Sequence, residues 1–196
     1  MLEANIGKQD QYEIAYGGLN YIEFNSDDSV SITKIKLDDS KLKQLENNLM
    51  LFYLGGKHCA SEVLKYQIEN YNKENVLIAL NEMCKLTRLL RDELKSNNIT
   101  SFGEILHENW VLKRSLSEKI STTFVDDIYE MSRQAGAEGG KLLGAGGAGF
   151  LLLYVDDDEK KRNVRMKLDR LKEIQYRIDE EGVKIVYNDQ NEGEKR

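Results

Sequence analysis

The chain has 196 residues, with 28 basic and 34 acidic side chains, a formal net charge of −6 and 40% hydrophobic residues. This length buries the core of one domain, or of one domain and part of another, and the composition excludes a disordered or collagen-like chain. The excess of acidic side chains also argues against a dedicated nucleic-acid-binding protein, because such proteins usually carry an excess of basic side chains.

The first predicted elements are strands. Residues 19–24 and 30–37 flank the turn-prone stretch 25–29, and together they predict a β-hairpin. Residues 49–54 form a continuous apolar run bounded by asparagines and glycines. That pattern predicts a strand buried on both faces.

Helical periodicity follows. A shorter helix around Ala60 to Asn70 precedes a long one, in which apolar residues recur every three or four positions: Val76, Leu80, Met83, Leu86, Leu90 and Leu94. Ser101 and Glu104 predict a capping box for a third helix. Its apolar face comprises Phe102, Ile105, Leu106, Trp110 and Leu116. A fourth helix is predicted from Phe124, Ile128 and Met131.

The last third of the chain returns to strands. Residues 150–155 predict a second apolar strand, and the acidic run 156–159 predicts the start of a helix with Val164, Leu168 and Leu171 facing inward. Two alternating strands are predicted around residues 174–178 and 183–187. The order of elements predicts an α+β fold with helices packed on one face of a mostly antiparallel sheet.

The cysteines and histidines do not predict a metal site. Cys59 and Cys84 are too few for a disulfide framework and are interpreted as buried reduced thiols, and His58 and His107 lack metal-ligand spacing. No apolar run reaches the roughly 20 residues of a membrane span. The N-terminus also lacks a signal-peptide pattern, so we expect a cytoplasmic protein without a membrane or nucleic-acid partner.

A glycine-rich segment is the main candidate for a functional site. Residues 136–149 read GAEGGKLLGAGGAG and contain seven of the chain's 15 glycines. Such a density favours close backbone approach and exposed N–H groups that bind anions. A tight turn would need only one or two glycines, so we interpret the segment as a ligand-contacting loop, with Lys141 adding positive charge.

Two phosphate-binding motifs do not fit this segment. Gly144, Gly146 and Gly149 match GxGxxG, but the dinucleotide fingerprint follows a strand and opens a helix, whereas here an apolar strand comes after the glycines. Gly140-Lys141 resembles the end of a Walker A loop, yet Leu142 stands where Ser or Thr must hold magnesium.

The segment Lys141 to Phe150, KLLGAGGAGF, resembles the third conserved motif of the GHMP kinase superfamily. Its context is closest to the sugar-phosphate branch, typified by D-glycero-D-manno-heptose 7-phosphate kinase, because Leu143 stands where mevalonate and homoserine kinases carry Ser or Thr. A second block, Gly7 to Tyr12 (GKQDQY) followed by 15–18 (AYGG), is similar to a block of the same branch that holds an acidic residue beside the acceptor hydroxyl. The two blocks bracket most of the chain.

The resemblance implies transfer of the ATP γ-phosphoryl group to a hydroxyl of a sugar or sugar phosphate, with ATP and Mg²⁺ required. It implies Asp10 as the catalytic residue that accepts the hydroxyl proton. Lys8 and the main chain of Gly144, Ala145, Gly146 and Gly147 would bind the substrate, and Lys141 would contact the nucleotide. Nothing in the spacing selects a phosphate contact among Arg88, Arg91, Arg114 and Arg133.

The resemblance also implies a domain organisation. Residues 1–37 correspond to the end of the GHMP N-terminal domain, residues 38–188 to the ferredoxin-like C-terminal domain, and residues 189–196 to a frayed tail. The PxxxGLGSSA loop that holds ATP in the superfamily has no match in the 196 residues. We therefore expect the acceptor-side part of a kinase, associated with a missing N-terminal half or as a homo-oligomer. The alternative is a non-catalytic sugar-phosphate-binding domain or the partner of a separate ATP-loop polypeptide.

Overall fold

The computed structural model describes residues 7–56 and 60–186, with only the backbone at 60–62. These residues form two compact units, Lys36–Arg177 and Gly7–Ile35 with 178–186. We call them the sheet unit and the hairpin unit and describe each by itself. Residues 178–186, which the sequence assigns to the C-terminal domain, group with the hairpin unit.

The hairpin unit contains helix α1 (Gln9–Tyr16) and strands β1 (Leu19–Phe24) and β2 (Val30–Ile35). The strands pair antiparallel from Leu19 opposite Ile35 to Phe24 opposite Val30, which confirms the predicted hairpin. In the turn, Asp27 Oδ1 accepts hydrogen bonds from the backbone N–H and the hydroxyl of Ser29. Side-chain bonds of this kind are the reason that Asp and Ser favour turns.

The predicted pair of closing strands is wrong. Within residues 172–186, Lys172–Ile174 is a strand and residues 175–186 are irregular. Instead, the Val183 N–H donates to Ile14 O at 3.1 Å and the Gly18 N–H donates to Asp179 O at 2.6 Å, so the segment is tied to α1 and its C-terminal end. Val183, Ile185 and Val186 stay exposed, because their side chains pack against no core in the described part of the unit. Tyr187 and the predicted tail lie outside the described residues.

The sheet unit contains the remaining elements. In chain order these are α2 (Asp39–Asn48), β3 (Leu49–Gly55), α3 (Ala60–Asn70), α4 (Glu74–Lys95), α5 (Phe102–Ser115), α6 (Thr123–Gln134), β4 (Gly139–Leu142), β5 (Gly149–Tyr154), α7 (Asp158–Lys167) and β6 (Lys172–Ile174). The sheet order is β4-β5-β3-β6, and each neighbouring pair is antiparallel. This is the predicted α+β architecture.

One face of the sheet forms the core with the helices. Met50 and Phe52 of β3 and Leu151 and Leu153 of β5 are buried in a cluster with Trp110 of α5. The cluster also includes Val63, Val76, Val125, Ile128, Val164 and Leu168 from the other helices that cover this face. The opposite face is more open. The prediction that β3 is buried on both faces is therefore wrong, because Leu51 is half-buried and Tyr53 is exposed.

Helix ends differ in how well the sequence predicts them. Asp157 Oδ1 accepts the Lys160 N–H at 2.8 Å, so the acidic run 156–159 caps α7 as expected. Ser101 precedes α5, but its hydroxyl makes no cap bond and is buried without a partner among the described residues, so the predicted capping box is absent.

Phe124 and Cys84 are both on the surface. Phe124 is 51% exposed, because Val125, Ile128 and Tyr129 form the buried stripe of α6. Cys84 is an exposed thiol on α4 rather than a buried one, and Cys59 lies outside the described residues.

Candidate functional site

Residues 143–148 connect β4 to β5, and we call them the glycine loop. The Leu143 N–H donates to Phe150 O at 2.9 Å and closes the loop. The Gly147 N–H donates to Ile120 O at 2.8 Å. Gly146 has φ +121°, and a Cβ there would lie 2.6 Å from Ile120 O, so the loop packs against the Ile120 backbone in a conformation that requires glycine.

Packing explains a large share of the glycine density, which corrects the interpretation of the whole segment as ligand-contacting. A Cβ at Gly139 would lie 1.8 Å from Gly103 O of α5, and one at Gly140 would lie 2.3 Å from Leu152 O. Gly136 likewise packs on Lys160. By contrast, a Cβ at Gly144 or at Gly149 would meet nothing within 4 Å, and of these two Gly144 lies in the glycine loop, where a ligand can approach it.

The glycine loop is held by its carbonyl groups. Lys113 Nζ of α5 donates to Gly144 O at 2.6 Å, and Gln67 Nε2 of α3 donates to Ala145 O at 3.4 Å. The amides of Gly144, Ala145 and Gly146 donate to no group in the described part of the chain. Gly144 is exposed and Ala145 half-buried, so the loop offers N–H groups for an anion. Gly147, predicted as a donor, uses its N–H on Ile120.

Lys113 is the residue that sequence reasoning missed. Burial, and secondly the charge of Lys141, lowers the pKa of Lys113 from 10.5 to about 8. Once the helix is predicted, the position of Lys113 indicates burial, because Lys113 follows the buried Trp110 by three positions and the buried Leu106 by seven. A lysine in the buried stripe of a helix usually has a specific partner.

Lys141 of β4 lies on the same side of the unit as Lys113. Its Nζ donates to Asn109 Oδ1 of α5 at 3.2 Å, and burial lowers its pKa. The structure thus brings the predicted Lys141 together with Lys113 beside the glycine loop. Two cations and free amides form a region suited to negatively charged oxygens.

A pH titration tests the link between Lys113 and the glycine loop. The charged ammonium is present below about pH 8 and is lost as the pH rises through that value, because the folded pKa is lowered. We expect the carbonyl ¹³C NMR signal of Gly144, in a chain labelled with ¹³C-glycine, to shift with a midpoint near pH 8. Lys113→Met removes this inflection and Lys119→Met keeps it. A Gly144 signal that titrates equally in the Lys113→Met variant contradicts the assignment.

Asp10 and Lys8 belong to the hairpin unit. Asp10 is exposed in the first turn of α1, directly after Lys8 and Gln9. Lys8 Nζ lies 3.8 Å from Asp28 Oδ1 in the hairpin turn, so its ion pair is with Asp28 and not with Asp10. A cavity of about 320 Å³ opens beside this pair and is bounded by Gln9 and Phe24. Asp10 has no ion pair within the described residues and is accessible to a substrate.

Several other candidates have structural roles. Arg114 pairs with Asp126 at 3.1 Å, and Arg133 donates to Ala137 O at 2.7 Å. His107 Nδ1 lies 2.8 Å from Tyr129 Oη. Within residues 7–56 and 60–186, no group of three or more His, Cys, Asp and Glu side chains comes together as a metal site. No helix among these residues is long and apolar enough to cross a membrane.

Comparison with known proteins identifies relatives of this fold. Residues 90–173 match the family described as GHMP kinases C terminal. The chain is 26% identical over 154 residues to the D-glycero-alpha-D-manno-heptose 7-phosphate kinase of Campylobacter jejuni, covering 79% of this chain and 45% of that protein. It is 29% identical over 176 residues to the bifunctional fucokinase/GDP-fucose pyrophosphorylase of Arabidopsis thaliana, covering 88% and 17%.

Among solved structures, a D-glycero-D-manno-heptose 1-phosphate kinase from Bacteriodes thetaiotaomicron matches with a TM-score of 0.64 and 24% identity. The match covers 92% of this chain and 50% of that one. At this identity the match shows the fold. The chain spans half the length of this structure and less than half of the two curated relatives.

Proposed function

We propose that this chain is part of a kinase for sugars or sugar phosphates. The premise is the match of residues 90–173 to the GHMP kinase C-terminal family. Its relatives include kinases named for heptose 7-phosphate, fucose and mevalonate. In this proposal the chain supplies the acceptor side of the reaction.

The observation that carries the proposal is the way the glycine loop is held. Its Gly144 and Ala145 carbonyls accept hydrogen bonds from Lys113 and Gln67, while the amides of the same two residues have no partner within the described residues. A loop fixed through its carbonyls with its amides free is organised for an anion before the anion arrives. The lysines suit phosphoryl oxygens, whose negative charge they balance.

ATP, bound with Mg²⁺, supplies the transferred phosphoryl group. The chemistry left to the protein is positioning, charge stabilisation and removal of one proton. The Asp10 carboxylate would accept the proton of the acceptor hydroxyl. The hydroxyl oxygen would form the new bond to the γ-phosphorus as the bond from that phosphorus to the β–γ bridging oxygen breaks and ADP leaves. The glycine loop and Lys113 hold negative oxygens, and Lys141 balances their charge. The described residues offer no cluster of acidic side chains for magnesium, so we assign it no ligand among them.

A phosphorylated sugar is the acceptor we favour. The GKQDQY block and Leu143 support the sugar-phosphate branch over the mevalonate branch. We expect the natural polypeptide that carries this chain to release ADP fastest with D-glycero-D-manno-heptose 7-phosphate, more slowly with L-fucose and least with mevalonate. A coupled ADP-release assay compares the three. Fastest turnover with mevalonate contradicts the choice of branch.

The same assay separates the kinase from a non-catalytic binding domain. The 196-residue chain alone is expected to bind ATP weakly and release little ADP, since it has no match to the ATP phosphate loop of the superfamily. If the natural polypeptide binds the sugar phosphate in a calorimetric titration but releases no ADP with any of the three acceptors, the kinase proposal fails and the binding domain is favoured.

A further inference from the structure

A second cavity lies at the other edge of the sheet unit. It has a volume of about 470 Å³, and α2, β3, α7, β6 and residues 175–177 form its walls. We call it the edge cavity and define it by Lys43, Leu51, Arg165, Ile174, Tyr176 and Arg177. Because β6 and β4 are the two outer strands of the sheet, the edge cavity is distinct from the glycine loop.

Cations outnumber anions in the edge cavity, although the whole chain carries a net charge of −6. Arg165 is neutralised by Glu173, to which its Nε and Nη2 donate at 2.8 and 2.9 Å. Lys43 and Arg177 line the same cavity, and neither forms an ion pair with another described residue. Two cations are therefore available to a ligand with two negative charges, with Glu46 the remaining acidic side chain in the wall.

Tyr176 provides a hydrogen-bond donor without a partner. Its Oη atom is buried and bonds to no other described group. Buried polar atoms are nearly always paired, so an unpaired one indicates a missing partner. Burial, and secondly the charge of Glu46, raises the pKa of Tyr176 to about 12, so the hydroxyl keeps its proton at neutral pH and donates.

The remaining wall of the cavity combines the polar side chains of Asn47 and Gln175 with an apolar patch. Leu49 and Leu51 of β3 and Ile174 of β6 line it and are half-buried. They lie on the face of the sheet that the core helices leave open. A free ion would leave this surface uncovered, whereas a ligand with a carbon body covers it, and the volume is that of small-molecule sites.

We propose that the edge cavity binds a small organic phosphate monoester. Lys43 and Arg177 bind the phosphate dianion, the Tyr176 hydroxyl donates to one of its oxygens, and the carbon body lies on Leu51 and Ile174. A phosphate monoester carries nearly two charges at pH 7 to 8, which matches the two available cations, whereas a carboxylate carries one.

Calorimetric titration of the 196-residue chain with phenyl phosphate, inorganic phosphate and benzoate at pH 8 tests the ligand class. We expect saturable binding of phenyl phosphate with a Kd below about 1 mM. Inorganic phosphate lacks the body and benzoate lacks the second charge, so each binds at least about five-fold more weakly. The proposal is overturned if phenyl phosphate shows no saturable binding, or if benzoate binds with the same affinity as phenyl phosphate.

Tyr176→Phe gives a result that a merely structural tyrosine cannot give. Removing an unpaired buried hydroxyl stabilises the free protein or leaves it unchanged, because no hydrogen bond is lost. The same change weakens phenyl phosphate binding about ten-fold, because a bond to a charged oxygen is lost. If the variant binds phenyl phosphate as tightly as the native chain, or is destabilised, the assigned role of Tyr176 is wrong.

Matched variants separate the edge cavity from general charge effects and from the glycine loop. Lys43→Gln and Arg177→Gln are each expected to weaken binding about three-fold to five-fold. Lys41→Gln changes the same helix outside the cavity, so it keeps native affinity. Equal weakening by Lys41→Gln indicates non-specific attraction, and loss of binding in Lys113→Met places the ligand at the glycine loop. Either outcome refutes the proposal while leaving the kinase proposal intact.

Discussion

Asp10→Asn is expected to lower the turnover number of the natural polypeptide by about 10²- to 10⁴-fold, the usual contribution of a general base. The amide is nearly the same size as the carboxylate but cannot accept the proton of the acceptor hydroxyl. Since Asp10 is exposed in the first turn of α1, its replacement disturbs no core packing. We therefore expect the acceptor Kd, measured by calorimetry, to change less than about three-fold. The effect appears in turnover, from steady-state ADP release.

Asp28→Asn is the matched control for this prediction. Asp28 is also an exposed aspartate of the hairpin unit, and its backbone has φ +63°, a conformation that asparagine adopts readily. Its replacement removes one negative charge and the ion pair with Lys8 but no proton acceptor at Asp10. We expect native turnover within about two-fold. Near-native turnover in Asp10→Asn, or equal losses in both variants, contradicts the role of Asp10.

Gly139→Ala is expected to give the largest loss of stability. The added Cβ would lie 1.8 Å from Gly103 O and 2.7 Å from the Gly103 carbonyl carbon, so α5 and β4 must move apart. Overpacking typically costs about 1–3 kcal/mol, and we expect a cost near the upper end because the contact is with backbone. The same movement separates Lys113 from Gly144 and Asn109 from Lys141. Urea unfolding gives the loss of stability, and the Gly144 carbonyl NMR signal reports the lost contact.

Gly144→Ala is the comparison that isolates conformation from packing. Gly144 has φ +73°, but a Cβ there meets nothing within 4 Å. Its replacement is expected to cost about 1 kcal/mol, from the left-handed backbone alone. If Gly139→Ala is no more costly than Gly144→Ala, α5 and β4 are not in the close contact described here.

Local patterns predicted the parts of the fold that local physics determines. The hairpin follows from the turn residues between 24 and 30, and α4 follows from an apolar stripe that begins at Val76. The acidic start of α7 was predicted from capping, and Asp157 caps it. These features depend on residues within one or two turns of each other, so the sequence alone is sufficient.

Features that depend on distant residues were missed. Strand β4 begins with Gly139 and Gly140, which disfavour strands, and it forms by antiparallel pairing with β5 while α5 packs against it at Gly103. Lys113 joins the candidate site through Gly144, 31 positions away in sequence. Conversely, residues 183–186 alternate like a strand but have no strand partner among the described residues. Periodicity reports which face is apolar, not whether another element covers it.

The most direct test of the central claim follows phosphorus itself. The natural polypeptide carrying this chain is incubated with ATP, Mg²⁺ and D-glycero-D-manno-heptose 7-phosphate, and the reaction is followed by ³¹P NMR. The account predicts that a new sugar phosphate signal and ADP appear in equal amounts, and that Asp10→Asn suppresses both. ADP accompanied only by inorganic phosphate, or a new sugar phosphate formed equally fast by Asp10→Asn, would contradict it.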